Sequence, residues 1–486
     1  MTDRFKESPL IPEPIIAYCT SGQLSLDCTH VELFRKDDGT LLHTVPGRIF
    51  ATPEGQLRLS VALDSQGLFS TLKKLSKARP GGLLTDTEML CMKCKLPGSD
   101  AHWESDHLYE VSSQEDFFPG KAHVTYRFRE MWRGPRLPET GTIREARAFY
   151  PGKLDIPYAH VVHLSSTDGE TGHAETQSLR YLLHFDGVDE RLIVARIGGY
   201  TEAVVRAKTS AGISCSPEEV ITQALLLSFG VMTDWAIAYY ATGASQTIRV
   251  KEKPKKPWKT SYPPIKQIGE AMRCAPSMMA RWYEKLQSDT WGGWDLRARA
   301  LFSVLTTEQA MTEKPTQCLA LGAANEAVAR KHFAHLAPSD VEIINEIKAI
   351  VKAIEFLKKA NVADERLEVD GLRHIRESSI PRIDGMRGML SNPSAKNIFH
   401  ALKGQGLGLR ESEIDAWNKG RNLPAHGQWI GLEEALPAYH HMRTMLHKLV
   451  LLSVQWTDMI TDYGDPHWKL TTGKEEPQGD PSDPKG

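Results

Sequence analysis

The apolar residues of this chain change their period once, near the middle, and that change limits what the chain can fold into. Leu57, Leu59, Val61 and Leu63 alternate with polar neighbours. That is the two-residue repeat of a half-buried strand, and His123 to Phe128 repeats it. Further on, Ile344, Ile347, Val351, Ile354 and Leu357 form one stripe, and Tyr439, Met442, Leu446, Leu449, Ser453, Trp456 and Ile460 follow nearly heptad spacing. Both are helical stripes, marking a core or an interface seam. A strand-rich part followed by a helical part defines an α+β chain, with an N-terminal antiparallel β-rich domain ahead of an all-α domain.

The stretch KEKPKKPWK, Lys251 to Lys259, separates the two. Its prolines and like charges oppose regular packing, as in a linker. The expected organisation is a β-rich sensor or regulatory domain over 1–250, a basic proline-rich linker over 251–266, a helical domain over 267–465 and a disordered tail over 466–486. Asp38-Gly39, Asp168-Gly169 and Asp186-Gly187 supply hairpin turns to an antiparallel sandwich or barrel. Ser216-Pro217-Glu218-Glu219 begins a helix expected to reach about Ala241, because a capping serine, a first-turn proline and early carboxylates together mark a helix start.

With 486 residues, 41% hydrophobic and 25% charged, the chain has the composition of a multi-domain globular protein rather than a disordered or fibrous one. Its formal net charge of -2 points to no partner, so a nucleic-acid role has to rest on local basic patches. The start MTDRFKESPL lacks the apolar core of a signal peptide, and the longest apolar runs are too short to span a bilayer. A cytoplasmic protein with no membrane association is expected. Seven cysteines, an odd number in such a setting, read as reduced thiols.

The sharpest chemical signal is Arg421-Asn422-Leu423-Pro424-Ala425-His426-Gly427. A histidine near neutral pKa can take a proton from a 2′-hydroxyl or give one to a leaving oxygen, and an arginine can neutralise charge on the phosphorus in flight. Asn422 would orient the histidine or bind phosphate. Spacing alone does not single the motif out, since Arg330 and His335 in RKHFAH match it too. In an uninterrupted helix, however, five residues turn the second side chain about 140° from the first. Pro424 and Gly427 break the helix at the other site, so both groups there can turn to one point. The bland reading is an arginine capping carbonyls and a histidine satisfied at a helix junction.

RNLPAHG resembles the signature of the HEPN superfamily, over roughly residues 290 to 465, and a β-rich front domain ahead of it resembles the ApeA-type antiphage defence proteins. The resemblance implies a metal-independent endoribonuclease with catalytic Arg421, His426 and Asn422 and no cofactor. It further implies an RNA substrate, tRNA included, a homodimer with two motifs facing one groove, and a phage-derived trigger at the N-terminal domain. The Met442 to Ile460 seam is a candidate for that dimer contact, and Glu326 matches an acidic residue of an early HEPN helix. The alternative is a non-catalytic RNA- or protein-binding dimerisation module.

Cys91, Cys94, His102 and His107 offer a second constellation, two thiolates and two imidazoles of the kind a structural zinc ion uses, at a spacing that fits no standard finger. Two buried thiols and two surface histidines are the simpler reading, and no bound metal is expected. KGQGLGLR, Lys403 to Arg410, reads as a flexible loop near Arg421, and His440-His441 as one side of a long helix.

Overall fold

In a computed structural model, the residues described are 11–64, 90–99, 101–115, 121–136, 142–157, 160–167, 174–186, 190–197, 199–210, 212–213, 216–243, 245–252, 257–288, 295–311, 313–337, 340–359, 393–425, 427–428 and 430–472. They fall into two compact units. One takes the chain to Lys259 together with Ile268–Thr290, and the other takes Thr260–Gln267 together with the chain from Trp291. The class is α+β.

In the first unit helix α1 (Glu13–Ser21) precedes strands β1 (Ser25–Arg35), β2 (Leu41–Ala51), β3 (Leu57–Asp64), β4 (Leu90–Lys95), β5 (His102–Glu115) and β6 (Lys121–Phe128). These pair antiparallel in the order β4-β1-β2-β3-β6-β5, and β4 also pairs with β5, closing a six-stranded barrel. Alternation explains the closure: Ile49, Leu57, Leu59, Val61, Val124, Tyr126 and Phe128 all point into one buried core. Each such side chain contributes about 1.5–3 kcal/mol by leaving water. The Asp38-Gly39 turn forms as expected, Gly39 taking φ 66°. Asp168, Gly169 and Gly187 lie outside the described residues.

The sheet runs on through β7 (Glu130–Arg133), β15 (Gln246–Lys251), β14 (Ile237–Thr242), β8 (Ile143–Pro151), β12 (Tyr200–Ala207), β11 (Glu190–Ile197), β10 (Ala174–Asp186) and β9 (His160–Thr167). Helix α2 (Pro217–Phe229) starts where expected but stops well short of Ala241. Gly230 adopts φ 63° and returns its N–H to the Leu226 carbonyl, a left-handed helix stop. The apolar run beyond it becomes β14, paired between β15 and β8.

The expected linker is also corrected. Trp258–Lys259 forms strand β16 against β13 (Val231–Met232). Helix α3 (Ile268–Ser288) belongs to the first unit, where Tyr283 Oη and Gln287 Nε2 donate to the Glu190 carboxylate at 2.6 and 2.7 Å. Thr260–Gln267 packs within the second unit: Thr260 Oγ1 donates to Glu308 at 2.9 Å and Lys266 N to Thr461 Oγ1 at 2.8 Å.

The second unit holds α4 (Leu296–Ala310), α5 (Lys314–Phe333), a 3-10 turn (Ala334–Leu336), α6 (Asp340–Lys359), α7 (Ala395–Gly404), α8 (Glu411–Trp417), a π-helical segment (Asn418–Asn422) and α9 (Leu432–Leu452). A hairpin of β17 (Met459–Thr461) and β18 (Leu470–Thr472) follows, so Leu470–Thr472, which the sequence assigned to a disordered tail, is a strand. The α9 stripe is core: Tyr439, Met442, Leu446 and Leu449 have no exposed surface in the single chain, which removes them as a dimer contact. The helix stops at Leu452, so the heptad spacing does not continue as helix to Ile460. Of the α6 stripe, Val351 is buried and Ile347 is 42% exposed.

Between its apolar positions α9 buries three basic side chains. Arg443 is fully buried beside Glu308 and donates to Tyr439 Oη at 2.9 Å. Lys448 Nζ reaches Glu413 Oε1 at 2.7 Å and the Gly408 carbonyl at 2.6 Å. His447 Nε2 lies 3.0 Å from the Tyr262 carbonyl, and burial followed by the Arg443 charge pushes its pKa down to about 3. Such groups are tolerated only when paired, and losing one partner costs about 3–5 kcal/mol.

Candidate functional site

Arg421 sits where α8 changes its hydrogen-bond register. Glu413 fixes the start of α8, accepting from Arg410 N at 3.0 Å and from Lys448. Ile414 and Trp417 are buried, with Trp417 edge-on to Phe399 at 5.1 Å. From Asn418 the turns widen into the π-helical segment, a feature often found at functional sites. Gly427 then adopts φ 83° with its N–H on the Pro424 carbonyl at 3.0 Å, and a new helix begins at Leu432.

The π-helical segment lies against α5 and α9, and two glycines allow the approach. A Cβ on Gly420 would come 2.5 Å from the Met442 methyl. One on Gly322 would come 2.3 Å from Arg421 Cβ and 2.6 Å from its Cγ, so the arginine stem occupies the notch that Gly322 leaves. One helical turn on, Glu326 Oε1 forms an ion pair with the guanidinium, 3.3 Å from Nε. The Arg421 side chain stays 27% exposed and that of Glu326 21%. Asn325, fully buried, donates to the Met442 carbonyl at 3.2 Å and ties α5 to α9 beneath the site.

Of the residues expected to act, Arg421 therefore has a defined lodging. Asn422 contributes backbone to the π-helical segment; its side chain, and the whole of His426, lie outside the described residues. Glu326 is joined to Arg421 by structure and far from it in sequence. The decoy pair does not lie in one continuous helix. Arg330 belongs to α5 and His335 to the 3-10 turn after Phe333, both exposed.

KGQGLGLR is structural. Gly406 and Gly408 take φ 66° and 78°, Leu409 is buried, and the Gly408 carbonyl receives Lys448. His440 and His441 stand together on α9, each partly buried. Burial, then the neighbouring Lys314 and His441, holds His440 below its ordinary pKa.

The proposed zinc ligands do not meet. Cys91 and Cys94 are three residues apart on β4 and so face opposite sides. Cys94 enters the barrel core and pairs with Cys28, whose thiol is lowered by that hydrogen bond, while Cys91 is only half-buried. His102 is exposed, and His107, at φ 61°, holds Asp106 at 2.9 Å and Lys36 at 2.5 Å. Among the described residues no three Cys, His, Asp or Glu side chains are arranged to hold a metal ion, and none of the described cysteines is in a disulfide. No described helix is long and apolar enough to cross a membrane.

Compared with protein-family models, with curated proteins and with solved structures, the chain matches none.

Proposed function

We propose that the chain is a HEPN-like endoribonuclease that works without a metal ion, an antiphage effector governed by its β-rich N-terminal part and held inactive until infection. The lodging of Arg421 is the observation that carries this reading. An arginine whose stem is seated in a glycine notch, with its guanidinium oriented by one carboxylate and its side chain still over a quarter open to solvent, suits a group that must meet a phosphate without searching for it.

In this reading His426 takes the 2′-hydroxyl proton, the 2′-oxygen bonds to the adjacent phosphorus, and the bond to the 5′-oxygen breaks as that oxygen is protonated. The products are a 2′,3′-cyclic phosphate and a 5′-hydroxyl. Arg421 offsets the charge that builds on the non-bridging oxygens, and Asn422 orients His426 or holds phosphate. Two copies of the motif face one groove in a homodimer, through a surface other than the buried Met442–Leu449 stripe.

The ion pair to Glu326 also supports a second reading, a non-catalytic RNA- or protein-binding module, because a carboxylate that neutralises Arg421 suits a structural arginine equally well. Incubating wild-type and His426→Ala protein with total RNA separates the two on one gel. Cleavage by the wild type alone fits the nuclease, and intact RNA in both lanes fits the binding module.

A further inference from the structure

The barrel of the first unit carries on its outer face a line of side chains that the Arg421 chemistry does not use. Register places Phe50 opposite Arg58, Arg58 opposite Arg127 and Arg127 opposite Tyr109, so one row crosses β2, β3, β6 and β5. Strand alternation sets its direction. Ile49, Leu57, Leu59, Leu108, Tyr126 and Phe128 are buried in the barrel, and the four residues of the row, half-buried, take the other face. At about 4.8 Å between neighbouring strands the row spans about 14 Å. The next row on the same face is Arg48, Ser60 and Thr125, in register across β2, β3 and β6.

Like charges directly opposite each other on adjacent strands destabilise a sheet, so Arg58 facing Arg127 calls for an explanation. Glu252 answers for Arg127, gripping Nε and Nη2 at 2.7 and 2.9 Å. Arg58 donates to the neutral Gln56 amide at 3.1 Å, and its Nε is buried without a hydrogen-bond partner among the described residues. Of the flanking carboxylates, Asp27 lies 3.8 Å from Arg48 and the exposed Glu54 feels the Arg58 charge. The row itself holds two guanidinium groups between two aromatic rings, and no carboxylate.

We infer that this face binds single-stranded nucleic acid. A phosphate sits between Arg58 and Arg127, accepting from the Nη1 group of each, which the bonds to Gln56 and Glu252 do not use, while the bases on either side stack on Phe50 and Tyr109. Guanidinium groups suit phosphate by their planar fork, and aromatic rings accept any base because every base has a π-face. The inference concerns the β unit and stands apart from the nuclease reading.

The test uses full-length protein carrying His426→Ala, so that no probe is cut, and fluorescence anisotropy at low salt. The probes are fluorescein-labelled ten-nucleotide oligouridylate, oligothymidylate and an abasic strand of the same length; the first two tell RNA from DNA as the source. The chain should bind at least one of the two base-bearing probes, and the abasic strand about tenfold more weakly or worse. Arg58→Ala and Phe50→Ala should each weaken binding by a similar factor, and Arg58→Ala should also flatten the salt dependence. Arg58→Lys, which keeps the charge, should recover part of the loss and shows that a weakened Arg58→Ala is not merely unfolded. Arg330→Ala, an exposed arginine elsewhere, should bind normally. No binding by the unmutated face, equal binding of the abasic strand, or binding untouched by Arg58→Ala and Phe50→Ala would overturn the inference.

Discussion

Arg421 on the π-helical segment holds Glu326 on α5, Nε to Oε1 at 3.3 Å, while its stem rests where Gly322 has no side chain. Two residues of α5, one turn apart, thus set both the position and the direction of the candidate catalytic arginine.

The first prediction separates orientation from charge. Glu326→Gln leaves Arg421 charged but loosens its aim, and cleavage should fall about ten- to a hundredfold. Thermal stability should hardly move, since a partly exposed pair of this kind contributes about 0–1 kcal/mol. Arg421→Lys should fall further, about 10²- to 10³-fold, because an ammonium cannot present a planar pair of donors to phosphate. Single-turnover cleavage rates with melting curves on the same samples decide it; an unaffected Glu326→Gln would show that the pair has no part in activity.

Gly322→Ala probes the notch. The added methyl would meet Arg421 Cβ at 2.3 Å, and that atom, next to the backbone, cannot swing aside as a side-chain tip can. Alanine favours the helix by about 1 kcal/mol, against about 1–3 kcal/mol for overpacking. The variant should therefore fold, with stability unchanged or lowered by up to about 2 kcal/mol, yet cleave poorly. Full activity in a folded Gly322→Ala protein would contradict this lodging of the arginine.

A pH dependence follows from His447. It is buried against the Tyr262 carbonyl, with Arg443 one turn before it, Lys448 beside it and Tyr463 packed on its ring. Its folded pKa, about 3, lies below the ordinary 6.5. Between these values the unfolded chain binds the extra proton, so stability rises with pH. The contribution is complete above about pH 6.5 and is lost as pH falls toward 3, by a few kcal/mol at most. Denaturant midpoints from pH 4 to 8 should show the slope, and His447→Gln, which keeps a donor for the Tyr262 carbonyl, should flatten it. An identical slope in the variant would place the dependence elsewhere.

For the cysteine set the expectation is little metal. Cys91 and Cys94 face opposite sides of β4, and His107 is engaged with Asp106 and Lys36. Protein purified without added zinc should carry well under one equivalent by elemental analysis; one zinc per chain would refute the arrangement described.

What the sequence revealed and what it hid follow from the range of the interactions. Alternation in Leu57 to Leu63 is local, so the strand was legible and its inward face with it. Gly230 sits inside an apolar run that continues past it, so the end of α2 was hidden until the left-handed cap was seen. KEKPKKPWK reads as a linker because composition cannot reveal that Trp258–Lys259 finds a partner strand at Val231–Met232. At the site, the turn at Gly427 was legible from residue type, whereas Pro424 does not break the helix there but lies within Leu423–Ala425, which continues the π-helical segment. The close seat of Arg421 on Gly322 was not legible, since a helical glycine signals no partner by itself. The opposed faces of Cys91 and Cys94 were available from strand parity once β4 was recognised as a strand.

The most direct test of the central claim is cleavage of total RNA by wild-type and His426→Ala protein, each with and without EDTA, with the new ends analysed. Cleavage needs a proton-transfer group worth about 10² to 10⁴ in rate and the RNA's own 2′-hydroxyl. Wild-type protein should therefore cut RNA equally well in EDTA, leave 2′,3′-cyclic phosphate ends and spare DNA, and His426→Ala should not cut, whereas Arg330→Ala and His335→Ala should cut normally. Activity abolished by EDTA and untouched by His426→Ala would contradict the account.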